Sequence, residues 1–253
     1  MLKINTLKFL LLILICLTVN SCGTIVLSLI GANAKEVKPI TIKNGEKNVV
    51  FIPMHHVGKK EFYNSVYLLT DSLGKKGYKA YYELIKPLVP SDTVYNRFNY
   101  KKLRKLMSRQ LAKGGHIDTV TYKLSGRIKI SNKYINQPQP KALISDISNP
   151  LNIDVSLDDL IKKYETDYGE IKLDSCDMNT GIYQEYKCQG IKVLVSDKYK
   201  IFKQGLIRDF RDKHLAEYVH NSDDSKIIVI YGKAHYNGFL RELQAIDPTW
   251  NQE

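Results

Sequence analysis

Lys226-Ile-Ile-Val-Ile-Tyr231 runs straight into Gly232-Lys-Ala-His235. An apolar, β-branched run of this kind reads as a strand buried on both faces, the usual state in a parallel sheet. The histidine then falls just beyond its carboxyl end. Asn48-Val-Val-Phe-Ile-Pro53 does the same before Met54-His55-His56, and Ala80-Tyr81-Tyr82 delivers Glu83. Ligands of open α/β sheets bind outside the carboxyl ends of the strands. Three strands ending in His or Glu therefore predict one polar site gathered from distant parts of the chain. Side chains alternate along a strand, so only one of His55 and His56 should face that site, and His56 is the candidate.

The segments around these strands alternate with helical patterns. Phe62, Val66, Leu69 and Leu73 make the apolar stripe of a helix from about Lys60 to Lys76, ended by Gly74 or Gly77. Residues 78–84 return as a strand, which completes a βαβ unit with an expected right-handed crossover. Thr119 to Ile130 reads as a strand or hairpin arm, and Asn136-Gln-Pro-Gln-Pro140 as a loop. Ser156 caps a helix that runs to Tyr168, with Gly169 past its end. Ile191 to Val195 is another apolar run. Leu206 to His220 reads as a helix on which Ile207, Arg211, Leu215 and Tyr218 share a face. A charged arginine on an apolar stripe needs a partner. Phe239 to Leu243 opens a short closing helix. The expected fold class is α/β, a central mostly parallel or mixed sheet flanked by helices, with a small β or loop insertion in the middle.

The first residues read as a targeting segment. Lys3 and Lys8 precede an apolar core from Phe9 to Val19, followed by Val19-Asn20-Ser21-Cys22. This is the n-region, h-region and small-residue cleavage site of a secretory signal, and Cys22 after Ser21 resembles a bacterial lipoprotein box. The resemblance implies cleavage before Cys22 and acyl chains on it, a membrane anchor for a protein of the cell envelope. An uncleaved anchor that continues through Thr24-Ile-Val-Leu-Ser-Leu-Ile30 is the alternative. The division is then a signal over 1–21, anchor and tether over 22–45, and one domain over 46–253. Cys176 and Cys188 remain, a pair able to close a loop in an oxidising compartment, with two free thiols as the alternative.

The 253 residues carry 38 Lys and Arg against 26 Asp and Glu, a formal charge of +12. Much of this is scattered surface lysine. Arg97, Lys101, Lys102, Arg104, Lys105, Arg109 and Lys113 form a basic amphipathic helix with Leu103, Leu106, Met107 and Leu111. It suits anionic headgroups or a solvated surface. No nucleic-acid-binding motif accompanies it. HExxH, GxSxG, Walker A and GxGxxG are all missing from the sequence.

In order along the chain, Pro53-Met-His-His56, Glu83-Leu84, Arg211-Asp-Lys-His-Leu-Ala216 and Gly232-Lys-Ala-His235-Tyr-Asn-Gly238 resemble the motifs of the TraB/PrgY and TIKI superfamily. That group has relatives among erythromycin esterases and haem-binding ChaN lipoproteins. The first motif departs from the family pattern by placing Pro53 where the family has Gly. Asn152-Ile-Asp154 is similar to a mid-chain Asp motif of the group. The resemblance implies that His56, Glu83, Arg211 and His235 are catalytic.

His56, Glu83 and His235 would hold a divalent metal (zinc, manganese or cobalt) that acidifies a water for peptide or ester hydrolysis. Arg211 would stabilise an oxyanion or grip a substrate carboxylate. The erythromycin-esterase branch implies instead a metal-free hydrolysis with His56 as base. A third reading keeps the pocket without catalysis, for a peptide or a haem beside Tyr81, Tyr82, His55 and His56.

Overall fold

The computed structural model describes residues 27–28, 31–88, 93–108, 111, 115–124, 128–144, 147–190, 197 and 199–253. The signal segment with Cys16 and Cys22, the run 191–195, Arg109 and Lys113 lie outside the described residues. Along the chain the elements are β1 (Ile40–Lys43), β2 (Asn48–Met54), β3 (Val57–Lys59), α1 (Lys60–Lys75), β4 (Lys79–Tyr82) and α2 (Thr93–Met107). Three short strands follow, β5 (Ile117–Asp118), β6 (Lys123–Leu124) and β7 (Ile128–Lys129), then β8 (Tyr134–Asn136), α3 (Pro140–Leu143) and β9 (Leu151–Asn152). The last part holds α4 (Leu157–Tyr168), α5 (Ser175–Asn179), a π-wound segment (Tyr199–Asp209), α6 (Phe210–Asn221), β10 (Lys226–Gly232), α7 (Tyr236–Ile246) and β11 (Asn251–Gln252).

The residues divide into two compact units. The larger takes Lys38–Met54, Val66–Lys113 and Gln139–Glu253, and the smaller takes Met1–Val37, His55–Ser65 and Gly114–Pro138. The larger unit is built on a mixed six-stranded sheet in the order β11-β1-β2-β10-β4-β9. β2, β10, β4 and β9 run parallel; β1 pairs antiparallel with β2, and β11 pairs antiparallel with β1 at the edge. With its helices this is the α/β class that the apolar runs predict.

The βαβ reading needs one amendment. β2 and β4 are parallel but do not pair with each other. β10, the last long strand, lies between them, in register from Asn48↔Lys226 to Met54↔Gly232 on one side and from Ile227↔Lys79 to Ile230↔Tyr82 on the other. Each interior strand carries apolar residues on both faces because both faces are covered. Val49, Phe51, Ile227, Val229 and Tyr231 join Leu215, Ala216 and Val219 of α6 and Phe239 and Leu243 of α7 in one core cluster, together with the fully buried Trp250. Val50, Ile52, Ala80, Ile228 and Ile230, the alternate residues, are buried as well.

A second cluster joins Leu106 of α2, Leu157, Leu160, Ile161 and Tyr164 of α4, and Phe202 and Leu206 of the π-wound segment. α4 begins as its sequence predicts: Ser156 and Asp159 form a reciprocal capping box, and Gly169 at φ 91° ends the helix. α1 ends in the same manner, with the chain turning at Gly77, φ +82°.

The basic helix is a different object from the one its composition suggests. Arg104 is fully buried and donates to the carbonyls of Asp177, Thr180 and Gly181, under the Tyr186 ring. Lys105 pairs with Asp174 and Asp177, and Lys102 with Glu165. Three of the cations proposed for anionic headgroups therefore hold the cysteine loop and α4 in place. Cys176 and Cys188 form the disulfide that closes this loop, 12 residues apart. Replacing both cysteines with serine should cost about 3 kcal/mol, mainly by freeing the unfolded chain. A calorimetric scan should show the midpoint falling by roughly 6–12 °C, and an unchanged midpoint would contradict this.

The smaller unit holds the predicted β insertion, a three-stranded antiparallel meander β5-β6-β7, and the pair β3-β8. Its core is Leu27, Ala32, Val57, Ile117 and Ile130. Asn136 seals it by accepting from the Ile117 amide and donating to the Ile117 carbonyl. Leu27 and β1 both fall in the stretch read as anchor and tether, so that segment carries folded structure. Among the described residues no helix is long and apolar enough to cross a membrane.

Candidate functional site

Parallel strands that end together bring their following residues together, and β10, β4 and β9 do so here. Glu83 leaves the end of β4, with its amide still bonded to the Ile230 carbonyl. Asp154 follows β9, and His235 closes the short 3-10 turn Lys233–His235 after β10. Arg211 and Asp212 open α6, where the π-wound segment tightens into a regular helix. Such wide turns occur often at functional positions. The helix predicted over Leu206–His220 is thus two helical forms joined one residue before Arg211. Its buried stripe is Arg211, Asp212, Leu215, Ala216 and Val219, and Tyr218 is exposed.

Arg211 is the centre of the cluster, and only 3 % of its surface is exposed. Its Nε donates to Asp154 Oδ1 at 2.9 Å, and Nη2 to Asp154 Oδ2 at 2.7 Å and to Glu83 Oε1 at 2.6 Å. Nη1 donates to His235 Nε2 at 3.2 Å and to the Ile207 carbonyl at 3.3 Å. These bonds engage all five N–H groups of the guanidinium. Burial acts against its charge, but Tyr231, Glu83 and Asp154 around it outweigh that and hold its pKa well above the ordinary arginine value.

The network also assigns the histidine tautomer. A guanidinium has no acceptor, so His235 Nε2 must accept and the ring proton sits on Nδ1. Nδ1 lies 2.5 Å from Asp212 Oδ1, which receives that proton's hydrogen bond. Asp212 is buried on α6 and packs against Gly238, where only a residue without Cβ fits: an added Cβ would stand 1.8 Å from Oδ2. Glu83 is pinned through its second oxygen, which accepts from the Gly232 amide at 2.6 Å. Asp154 is steadied by the Tyr231 hydroxyl at 2.7 Å. Burial pushes the Tyr231 phenol well above its usual value, so it acts as a neutral donor.

Burial is also the largest influence on Asp212 and raises its pKa, against the lowering effect of His235. The folded state then binds the Asp212 proton more readily than the unfolded chain does. This group's contribution to stability is full below the unfolded carboxylate range and is lost as pH rises through the raised folded value. Asp212→Asn should therefore flatten the fall in stability with rising pH in denaturant titrations. An unchanged slope would show that Asp212 is not the group responsible.

Glu83, Arg211 and His235 come together as their motifs predict. Their named partners all lie in the larger unit. His56 belongs to the smaller one. It is exposed, its ring stacks on His116 with centroids 4.8 Å apart, and its carbonyl accepts from the Gln137 amide. His55 is the half-buried member of the pair; its ring packs 5.1 Å from Phe62 and its carbonyl accepts from the Tyr63 hydroxyl. The sequence signal for Asp212 was present but unread. Its spacing from Leu215, Ala216 and Val219 places it on the buried stripe, and an acid there implies a partner.

A divalent metal does not fit this donor set as it is arranged. His235 Nε2 and Glu83 Oε1 stand 4.0 Å apart, and both face the positive guanidinium. Among the described residues no three His, Cys, Asp or Glu side chains are arranged to hold a metal ion. Of the two tyrosines named for a haem, Tyr81 is buried and directs its hydroxyl to Ser222 and Asp224, while Tyr82 is half-buried. Searches against family models, curated proteins and solved structures return no match to this chain.

Proposed function

We propose that this chain is a cell-envelope hydrolase that cleaves peptide or ester bonds without a bound metal, anchored through an acylated Cys22. The reading extends the resemblance to the TraB/PrgY and TIKI superfamily, on its erythromycin-esterase side. One observation carries it: a buried histidine held by a carboxylate at Nδ1, with its basic Nε2 turned toward an arginine. His235 takes the place of His56 as the base.

The two bonds from Arg211 Nη1 are the longest of the five, at 3.2 and 3.3 Å. The Nη1 hydrogens are therefore the ones that exchange their present acceptors for a substrate oxygen most cheaply. That exchange frees the Nε2 lone pair. A water then adds its hydroxyl to the carbonyl carbon and gives its proton to Nε2. Nη1 meets the developing oxyanion. Collapse breaks the bond to the leaving oxygen or nitrogen, which takes the proton back from His235. Asp212 stabilises the imidazolium between the two steps. Glu83 and Asp154 hold the other edge of the arginine still.

The test is hydrolysis of a panel of p-nitrophenyl esters and fluorogenic peptides in the presence of EDTA. The wild-type protein should turn over members of the panel, and His235→Gln should lose roughly 10²–10⁴-fold in rate. Absence of turnover in the wild-type protein, or a His235→Gln rate equal to it, would remove the reading.

A further inference from the structure

We infer that the tip of the β5-β6-β7 meander is a docking surface for an anionic phospholipid bilayer. Val120 enters the headgroup layer, and Lys123, Lys129 and Lys133 rest on its negative charge. The inference rests on the part of the proposed reading that acylates Cys22, and it says which surface the anchored chain turns to the membrane.

Val120 and Tyr122 lie in the turn between β5 and β6. Val120 is 86 % exposed, more than any other large apolar side chain among the described residues, and Tyr122 is exposed beside it. A lone exposed apolar residue is ordinary, so the surroundings decide its meaning. Between Gly114 and Pro138 the only acid is Asp118, against Lys123, Arg127, Lys129 and Lys133. Asp118 Oδ1 is occupied by the amides of Val120 and Thr121, the bonds that hold Val120 out on the turn.

The strand register gathers the charge. Ile117, Leu124 and Ile128 pair across the three strands and turn toward the core of the smaller unit. Asp118, Lys123 and Lys129 pair in the next row and are exposed. Lys123 and Lys129 therefore stand directly opposite each other, and like charges so placed cost stability in water. A layer of lipid phosphates reverses that sign, because each lysine near an anionic leaflet is attracted to it. Lys133 adds a further exposed cation before β8. Apolar side chains flanked by lysines match the boundary between headgroups and acyl chains.

The path of the chain points to the same partner. Leu27 and Ala32 are buried in one cluster with Ile117 and Ile130, and the Tyr134 hydroxyl donates to Asn33. Val120 is three residues past Ile117. Cys22 is five residues before Leu27, so acyl chains on it hold that cluster within about 18 Å of the lipid even at full extension. The unit that carries the tip is thus the one that the anchor keeps at the bilayer. α2 is the other basic element, but it buries Arg104 and pairs Lys102 and Lys105 with acids.

Trp250 is the one tryptophan of the chain and is fully buried, so Val120→Trp adds an emitter that can be read against a shielded background. The full-length variant is reconstituted in vesicles with brominated acyl chains, made of phosphatidylcholine alone or mixed with phosphatidylglycerol. The added emission should be quenched in the mixture and far less in phosphatidylcholine, and high salt should weaken the quenching. Combining Val120→Trp with Lys123→Gln, Lys129→Gln and Lys133→Gln should abolish it, with the circular dichroism unchanged because all three lysines are exposed.

Quenching that is absent, or equal in the two lipids, overturns the inference. So does an added emission already blue-shifted before lipid is present, which would mean that a second copy covers the tip. Flotation of the wild-type chain with the vesicles reads the anchor separately. Flotation with both lipids but no quenching removes the docking and leaves the acylated Cys22. Flotation only with phosphatidylglycerol, together with quenching there, removes the acyl anchor and supports the docking.

Discussion

Arg211→Met is expected to lose about 3–5 kcal/mol of folding stability, the cost of removing one side of a buried ion network. The methionine fills much of the arginine's volume, so the loss reports charge rather than a cavity. Asp154, whose side chain is wholly buried, and Glu83, 15 % exposed, both lose their ion pair with the guanidinium. His235 Nε2 and the Ile207 carbonyl lose a donor too. Urea titrations of the variant and the wild type at neutral pH would measure it. A gap below about 1 kcal/mol at neutral pH would mean that the network is worth no more than an exposed pair.

Gly238→Ala is the second large effect. Overpacking of a close-packed interior costs about 1–3 kcal/mol, and here the added methyl would press on a carboxylate that cannot swing into solvent. Asp212 is 2 % exposed and anchored on His235; the new Cβ would stand 2.7 Å from its Cγ and 1.8 Å from Oδ2. The carboxylate must shift, and Nδ1 then loses the acceptor that fixes its proton. If the proposed hydrolysis is right, turnover should drop by at least about 10²-fold, since the imidazolium formed in the reaction loses the carboxylate that orients and stabilises it. The control is Asn237→Ala, one residue away on the exposed side of α7, which should leave both stability and rate unchanged. Equal behaviour of the two variants would refute the steric argument.

The strands were legible because burial on both faces writes an unmistakable apolar run, as in Ile227–Tyr231 and Val49–Ile52. Helix caps were legible where chemistry is local, as at Ser156 and Gly169. The partners of Arg211 were half legible. A charge on an apolar stripe announces that it has partners, and Glu83 and His235 were named as site residues, but the order of strands decides who meets whom. No local signal tells that β10 lies between β2 and β4, which is what brings the Gly232 amide to Glu83. The basic helix misled for a related reason. Composition counts Arg104, Lys105 and Lys102 as surface charge, whereas three carbonyls and the acids Asp174, Asp177 and Glu165 take them up. That outcome depends on where the cysteine loop folds back, and such a contact has no periodicity to detect.

The position of β10 in the sheet has a consequence for biogenesis. Ribosomal synthesis delivers β2 and β4 long before residues 226–232, and neither can pair with the other in the native arrangement. Until the final stretch of the polypeptide emerges, both carry an open hydrogen-bonding edge that other chains can extend. A product truncated ahead of Lys226 is therefore expected to aggregate, and its recovery as a soluble folded fragment would contradict this.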